Sequence, residues 1–105
     1  MAQYDVYANP TAGSRDGFPY LVDLQSAQLS RLPTRLVMPL QRLPRPPDGL
    51  PRRLVQTLEV KGEALYLAAH QCAAMPSRLL KAPVASVVGQ VALVLDALDA
   101  VVSGV

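Results

Sequence analysis

Two residues have the type and spacing to do chemistry: His70 and Cys72, the chain's one histidine and one cysteine. In a strand, positions two apart share a face. A thiolate beside an imidazole is a sound nucleophile. A buried cysteine next to a strand-end histidine explains the same pair without any chemistry. One His and one Cys cannot supply a zinc site built from N and S ligands. No histidine stands near a carboxylate in sequence, and no glycine-rich loop opens a helix to cradle phosphate. One catalytic option stays open: a metal-free ribonuclease site assembled from Arg, Ser and Thr by folding. No catalytic residue, metal or cofactor is assigned, and the chain is read as a binding protein rather than an enzyme.

The longest periodic stretch lies at the C-terminus, Val84 to Val105. At 100° per residue, Val84, Val87, Val88, Val91, Val94, Leu95, Leu98, Val101 and Val102 share one arc. Ser86, Gly89, Gln90, Asp96, Asp99 and Ser103 share the opposite one. This predicts an amphipathic helix entered at Pro83 and left at Gly104. Asp96 and Asp99 argue against a membrane span, since each would cost roughly 2.5–3.5 kcal/mol near a bilayer centre. No membrane partner is expected.

The preceding residues read as short strands. Tyr4–Tyr7 is the first, Asn9–Gly17 a loop of turn formers, and Phe18–Leu24 the second. In the second, Tyr20 and Val22 point one way and Leu21 and Asp23 the other. Arg35–Leu40 is the third strand, and Pro39 is expected to put it at an edge or a strand end. Gln41–Arg53 is basic and proline-rich, an extended surface excursion. Leu54–Val60 and Glu63–Ala69 flank Lys61-Gly62, a hairpin pattern that aims Val55, Leu58, Val60, Leu65 and Leu67 at a core. His70–Pro76 continues extended or irregular. The sum is five or six strands and one helix in a single domain, residues 1–105: a small antiparallel sheet or barrel closed by a helix.

Half the residues are hydrophobic and 17% are charged, which excludes a disordered chain. The net charge is +2, but six arginines and one acid, Asp48, lie between Arg31 and Arg53. Such a basic middle suits an acidic partner or simply a solvated face. The absence of Trp and the single Phe weaken the case for nucleic acid, because base stacking needs aromatic platforms. No sequence-specific nucleic-acid contact is expected. One cysteine and a polar N-terminus without a signal-peptide pattern suggest a cytoplasmic protein.

Tyr4-Asp5-Val6-Tyr7, Leu21-Val22-Asp23-Leu24-Gln25-Ser26 and Arg35-Leu36-Val37-Met38-Pro39-Leu40 together resemble the CcdB toxin family. The spacing, the hairpin at Gly62, the Met75-Pro76 region and the Gly104-Val105 terminus agree, so the resemblance spans the chain. It implies a mainly β fold of the CcdB/MazF type, an SH3-like antiparallel barrel-type sheet with an accessory sheet and a C-terminal helix. It also implies a homodimer that binds the DNA gyrase A subunit and traps its cleaved-DNA complex without catalytic residues. A cognate antitoxin with a disordered, acidic tail would neutralise it. Carried onto this chain, the gyrase-binding positions are Gln28, Leu29, Asp99, Val102, Ser103, Gly104 and Val105. The antitoxin-binding positions are Arg42, Arg45, Arg52 and Arg53, whose charge suits an acidic tail.

Three positions depart from the family pattern. Ser103 stands where gyrase-poisoning members carry Trp, Val102 replaces an aromatic, and Gln28 replaces an apolar residue. A Trp anchor can supply several kcal/mol at an interface and stack on a target Arg. Serine does neither. Three readings follow: a gyrase poison, a CcdB-like protein that has lost poisoning and only binds a partner, and a ribonuclease of the MazF type. A homodimer is also expected on physical grounds. A helix this apolar on a sheet this small leaves a few hundred Å² of surplus apolar surface, worth on the order of 10 kcal/mol before association costs at about 25 cal/mol/Å².

Overall fold

The computed structural model describes residues 2–42 and 56–103. Among the described residues there are seven strands: β1 Asp5–Ala8, β2 Tyr20–Asp23, β3 Thr34–Arg42, β4 Thr57–Val60, β5 Glu63–Leu67, β6 Ala73–Pro76 and β7 Ala85–Ser86. Among the same residues one α-helix, α1, runs Val91–Ser103. All strand pairings are antiparallel, in the order β4-β5-β3-β2-β1-β7 with β6 also on β3. The result is a barrel-like, nearly closed sheet with a C-terminal helix, mainly β as expected. Five or six strands are expected from sequence; the seventh is the two-residue β7.

The long strand β3 is the hub. Its N-terminal half pairs with β6 and its C-terminal half with the β4–β5 hairpin, while β2 lies along its other side. This corrects the reading of Pro39, which sits inside a central strand opposite Leu21. Its carbonyl accepts from Ala68 N–H at 3.0 Å. A residue's N and C=O point to the same side of an antiparallel strand, so the missing donor faces the place where β3 changes partner from β6 to β5. The hairpin turn is as predicted. Lys61 and Gly62 have φ of 52° and 80°, the left-handed pair of a type I′ turn.

Alternation gives the sheet two buried faces. On one, Val6, Val22, Met38, Leu40, Leu58, Val60, Leu65 and Leu67 meet Val87, Val94 and Ala97 to form the main core. On the other, Tyr7, Leu21, Val37 and Leu80 form a smaller cluster with Met75 against them. Leu58, Val60, Leu65 and Leu67 are thus core residues as predicted, and Val55 lies outside the described residues.

The C-terminal stretch needs the largest correction. Its first residues are sheet, not helix. Val84 N–H donates to Val6 O at 2.8 Å, Val87 N–H to Tyr4 O at 2.9 Å, and Asp5 and Val6 pair with Ser86 and Ala85. The free edge of β1 offers these valines a ladder, and β-branched side chains fit a pleated surface better than a helix. A turn of 3₁₀ helix over Val88–Gln90 then leads into α1.

The buried face of α1 is also rotated from the predicted arc. Val94 and Ala97 are buried and Leu98 packs against them, whereas Leu95 and Val102, and Val88 in the turn before the helix, are exposed. Gln90, read as solvent-facing, instead holds the helix entrance to the edge of β4. Its Oε1 accepts Glu59 N–H at 3.0 Å and its Nε2 donates to Glu59 O at 2.9 Å. Among the described residues no helix is long and apolar enough to cross a membrane.

Candidate functional site

The exposed C-terminal end of α1 is built by default. Val94, Ala97 and Leu98 turn one side of the helix to the sheet, so Leu95, Asp99 and Val102 face outward. Val102 is 84% exposed and Leu95 51%. The last turn cannot complete its own ladder. Ser103 Oγ donates to Asp99 O at 2.7 Å and satisfies one of the free carbonyls. The hydroxyl that replaces the expected indole is therefore turned back onto the helix. Asp99, Val102 and Ser103 are brought together on this last turn. Gly104 and Val105 lie outside the described residues.

Gln28 and Leu29 sit elsewhere, on a 3₁₀ turn, Ala27–Leu29, in the loop from β2 to β3. Ser26 caps it, its Oγ accepting Gln28 N–H at 3.2 Å. Leu29 and Leu32 are about half exposed on the outside of this loop. α1 packs chiefly against the turn Ala69–Gln71. The two groups of predicted contact residues lie on different elements of the chain.

Beneath the loop lies a buried polar network that the sequence reading missed. Arg35 and Asp23 are both buried and paired, with Nη2 and Nε at 2.6 and 2.9 Å from Asp23 Oδ2. Asp23 Oδ1 is thereby left to accept Gln25 N–H at 2.9 Å. Tyr7 borders this network, and its hydroxyl pKa is raised by desolvation first and then by Asp5 and Asp23, against a lowering influence of Arg35. Arg35 therefore does not belong to the basic surface on which the sequence reading counted it. The available signal was phase: Asp23 lies two residues from Leu21 and Arg35 two from Val37, so each shares a strand face with an apolar residue that is buried.

Of the predicted antitoxin-binding residues, Arg42 is exposed and its Nε meets Glu63 Oε2 at 2.9 Å, a surface pair worth at most about 1 kcal/mol. Arg45, Arg52 and Arg53 lie outside the described residues. The one suggestive catalytic pair is not on a strand. His70 lies in the 3₁₀ turn Ala69–Gln71, with Nε2 3.2 Å from Gln71 Nε2, and Cys72 follows it. Burial pushes the Cys72 thiol up to about 11, so it is protonated and a poor nucleophile at neutral pH. Clefts of about 220 and 240 Å³ open elsewhere, and neither is lined by His70, Cys72 or any predicted contact residue.

Comparison with known families gives a match to the family described as CcdB protein over residues 3–104. The chain belongs to the CcdB family. This is a family of toxins from toxin–antitoxin systems, which act without catalysis. No curated protein gives a significant match. The nearly closed antiparallel sheet with its C-terminal helix is consistent with the CcdB fold.

Proposed function

We propose that this chain is the toxin of a type II toxin–antitoxin pair that poisons DNA gyrase by binding its A subunit, acting as a cytoplasmic homodimer and neutralised by an antitoxin with a disordered acidic tail. The observation that carries the reading is the family match over residues 3–104. The contact would involve Asp99, Val102, Ser103, Gly104 and Val105 at the helix end, with Gln28 and Leu29 from the loop. Exposed Val102 and Leu95 on α1 support an apolar contact there. Exposed Leu29, Leu32, Leu36 and Val88 support a further apolar interface such as a dimer would bury. Arg42, Arg45, Arg52 and Arg53 would meet the antitoxin tail.

Supercoiling and cleavage assays with purified gyrase test the proposal. Inhibition with trapped cleavage at micromolar protein is expected. Unaffected supercoiling and no cleaved complex would overturn the gyrase assignment.

One observation favours a second reading. Ser103 Oγ is spent on Asp99 O, so the position that carries an indole in poisoning members offers no ring and no free hydroxyl proton. In this reading the chain keeps the fold and binds a partner without poisoning gyrase. Growth arrest on expression in bacteria lacking the antitoxin would exclude it. RNA left intact after incubation with the protein would dispose of a MazF-type ribonuclease.

A further inference from the structure

The loop over residues 26–33 has little apolar anchorage of its own, because Leu29 and Leu32 both point outward. Its internal bonds are short-range: Leu29 N–H to Ser26 O, Ser30 N–H to Ala27 O and Leu32 N–H to Leu29 O. Its exit is held by Ser77, whose N–H and Oγ both donate to Pro33 O, at 2.8 and 3.0 Å. What ties its middle to the sheet is one buried side chain. Gln25 is 7% exposed. Its Nε2 donates to Leu29 O at 2.9 Å and to Thr34 O at 3.0 Å, and its Oε1 accepts Leu36 N–H at 3.0 Å. A single carboxamide therefore joins the middle of the loop, its exit and the start of β3.

The main chain of Gln25 is fixed in turn. Its N–H donates to Asp23 Oδ1 at 2.9 Å, and its carbonyl accepts from Arg35 Nη2 at 3.3 Å. The buried Asp23–Arg35 pair is thus a rigid base, and Gln25 is the strut standing on it.

We propose that Gln25 is a positioning residue for the gyrase contact, holding the Gln28–Leu29 turn in the shape that binds. This rests on the reading that Gln28 and Leu29 belong to that contact. A half-exposed leucine adds to affinity only as far as its loop is ordered before binding, since ordering it afterwards subtracts from the contact. Both donors of the carboxamide are needed. A carboxylate in its place would face two carbonyl oxygens while still able to accept from Leu36 N–H.

Gln25→Glu tests this, with Leu29→Ala as its companion. Affinity for the purified gyrase A subunit is measured together with hydrogen–deuterium exchange of residues 26–34 and 94–98. The expected result for Gln25→Glu is at least tenfold weaker binding and faster exchange at 29–34, with exchange at 94–98 unchanged. Leu29→Ala is expected to weaken binding without altering exchange in the loop. If Leu29→Ala binds like the unmodified protein, the loop is not part of the contact and the underlying reading fails. If Leu29→Ala is weakened and Gln25→Glu is not, the contact stands and the positioning role is overturned. Should Gln25→Glu not fold, the unmodified protein decides: the side-chain amide protons of Gln25 must exchange at least tenfold more slowly than those of Gln28. Equal rates overturn the proposal.

Discussion

At the scale of single residues, two positions carry most of the consequence. Ser103 spends its hydroxyl on the helix end. Ser103→Trp would place a flat apolar surface beside exposed Val102, and we expect gyrase inhibition to become at least tenfold more potent in a supercoiling assay, the scale of one interface hot spot. Arg35 is buried against Asp23, and removing one partner of a buried pair strands the other charge. Arg35→Met is expected to lower stability by about 3–5 kcal/mol in urea unfolding. Cys72 gives a pH prediction. Burial raises its pKa from 9.0 to about 11, so the folded state holds the thiol proton harder than the unfolded chain does. The stabilisation is complete below the unfolded value and is lost as pH rises through 9.0 toward about 11. Thermal unfolding should therefore show Cys72→Ala losing less stability than the unmodified protein across that window.

At the scale of elements, the helix and the sheet depend on each other at a few defined points. β4 is an edge strand, and the Gln90 carboxamide pairs with Glu59 as a further strand residue would. Gln56 Nε2 donates to Asp96 Oδ2 farther along the same helix. Gln90→Ala would leave both Glu59 groups to water and release the helix entrance. A loss of about 1–2 kcal/mol is expected, with amide exchange accelerated in the first turn of α1 and at β4 but not in β2. Local propensity foresaw some elements and not others. The Lys61-Gly62 hairpin was legible because a type I′ turn asks for left-handed residues and glycine supplies one cheaply. The start of α1 was not, because valines at 84 and 87 suit either a helix face or a strand. The unpaired edge of β1 decided between them.

At the scale of the whole molecule, the exposed apolar residues fall in more than one place: Val88, Leu95 and Val102 on the C-terminal segment, and Leu29, Leu32 and Leu36 around the start of β3. A chain of 11.3 kDa that leaves these to water gains by covering some of them with a second copy. Light scattering at micromolar concentration is expected to give about twice that mass. A mass near 11.3 kDa would contradict the homodimer.

Sequence by itself determined the class of this protein. Strand-length apolar runs broken by Pro and Gly, with one long helical period at the end, left little but a small antiparallel sheet closed by a helix. The ordered segments from Tyr4 to Leu40 carried the family. Those signals are local, set by side-chain shape and backbone preference, and they survive in any reading of the chain. Tertiary structure decided what depends on distant partners. It buried Arg35 on Asp23 rather than leaving it to solvent, turned Gln25 into a strut under an exposed loop, and put Pro39 inside a strand where its lost donor does no harm. It also chose which side of α1 faces the core. Charge and periodicity mark a residue's tendency, but burial follows from what the rest of the chain brings against it.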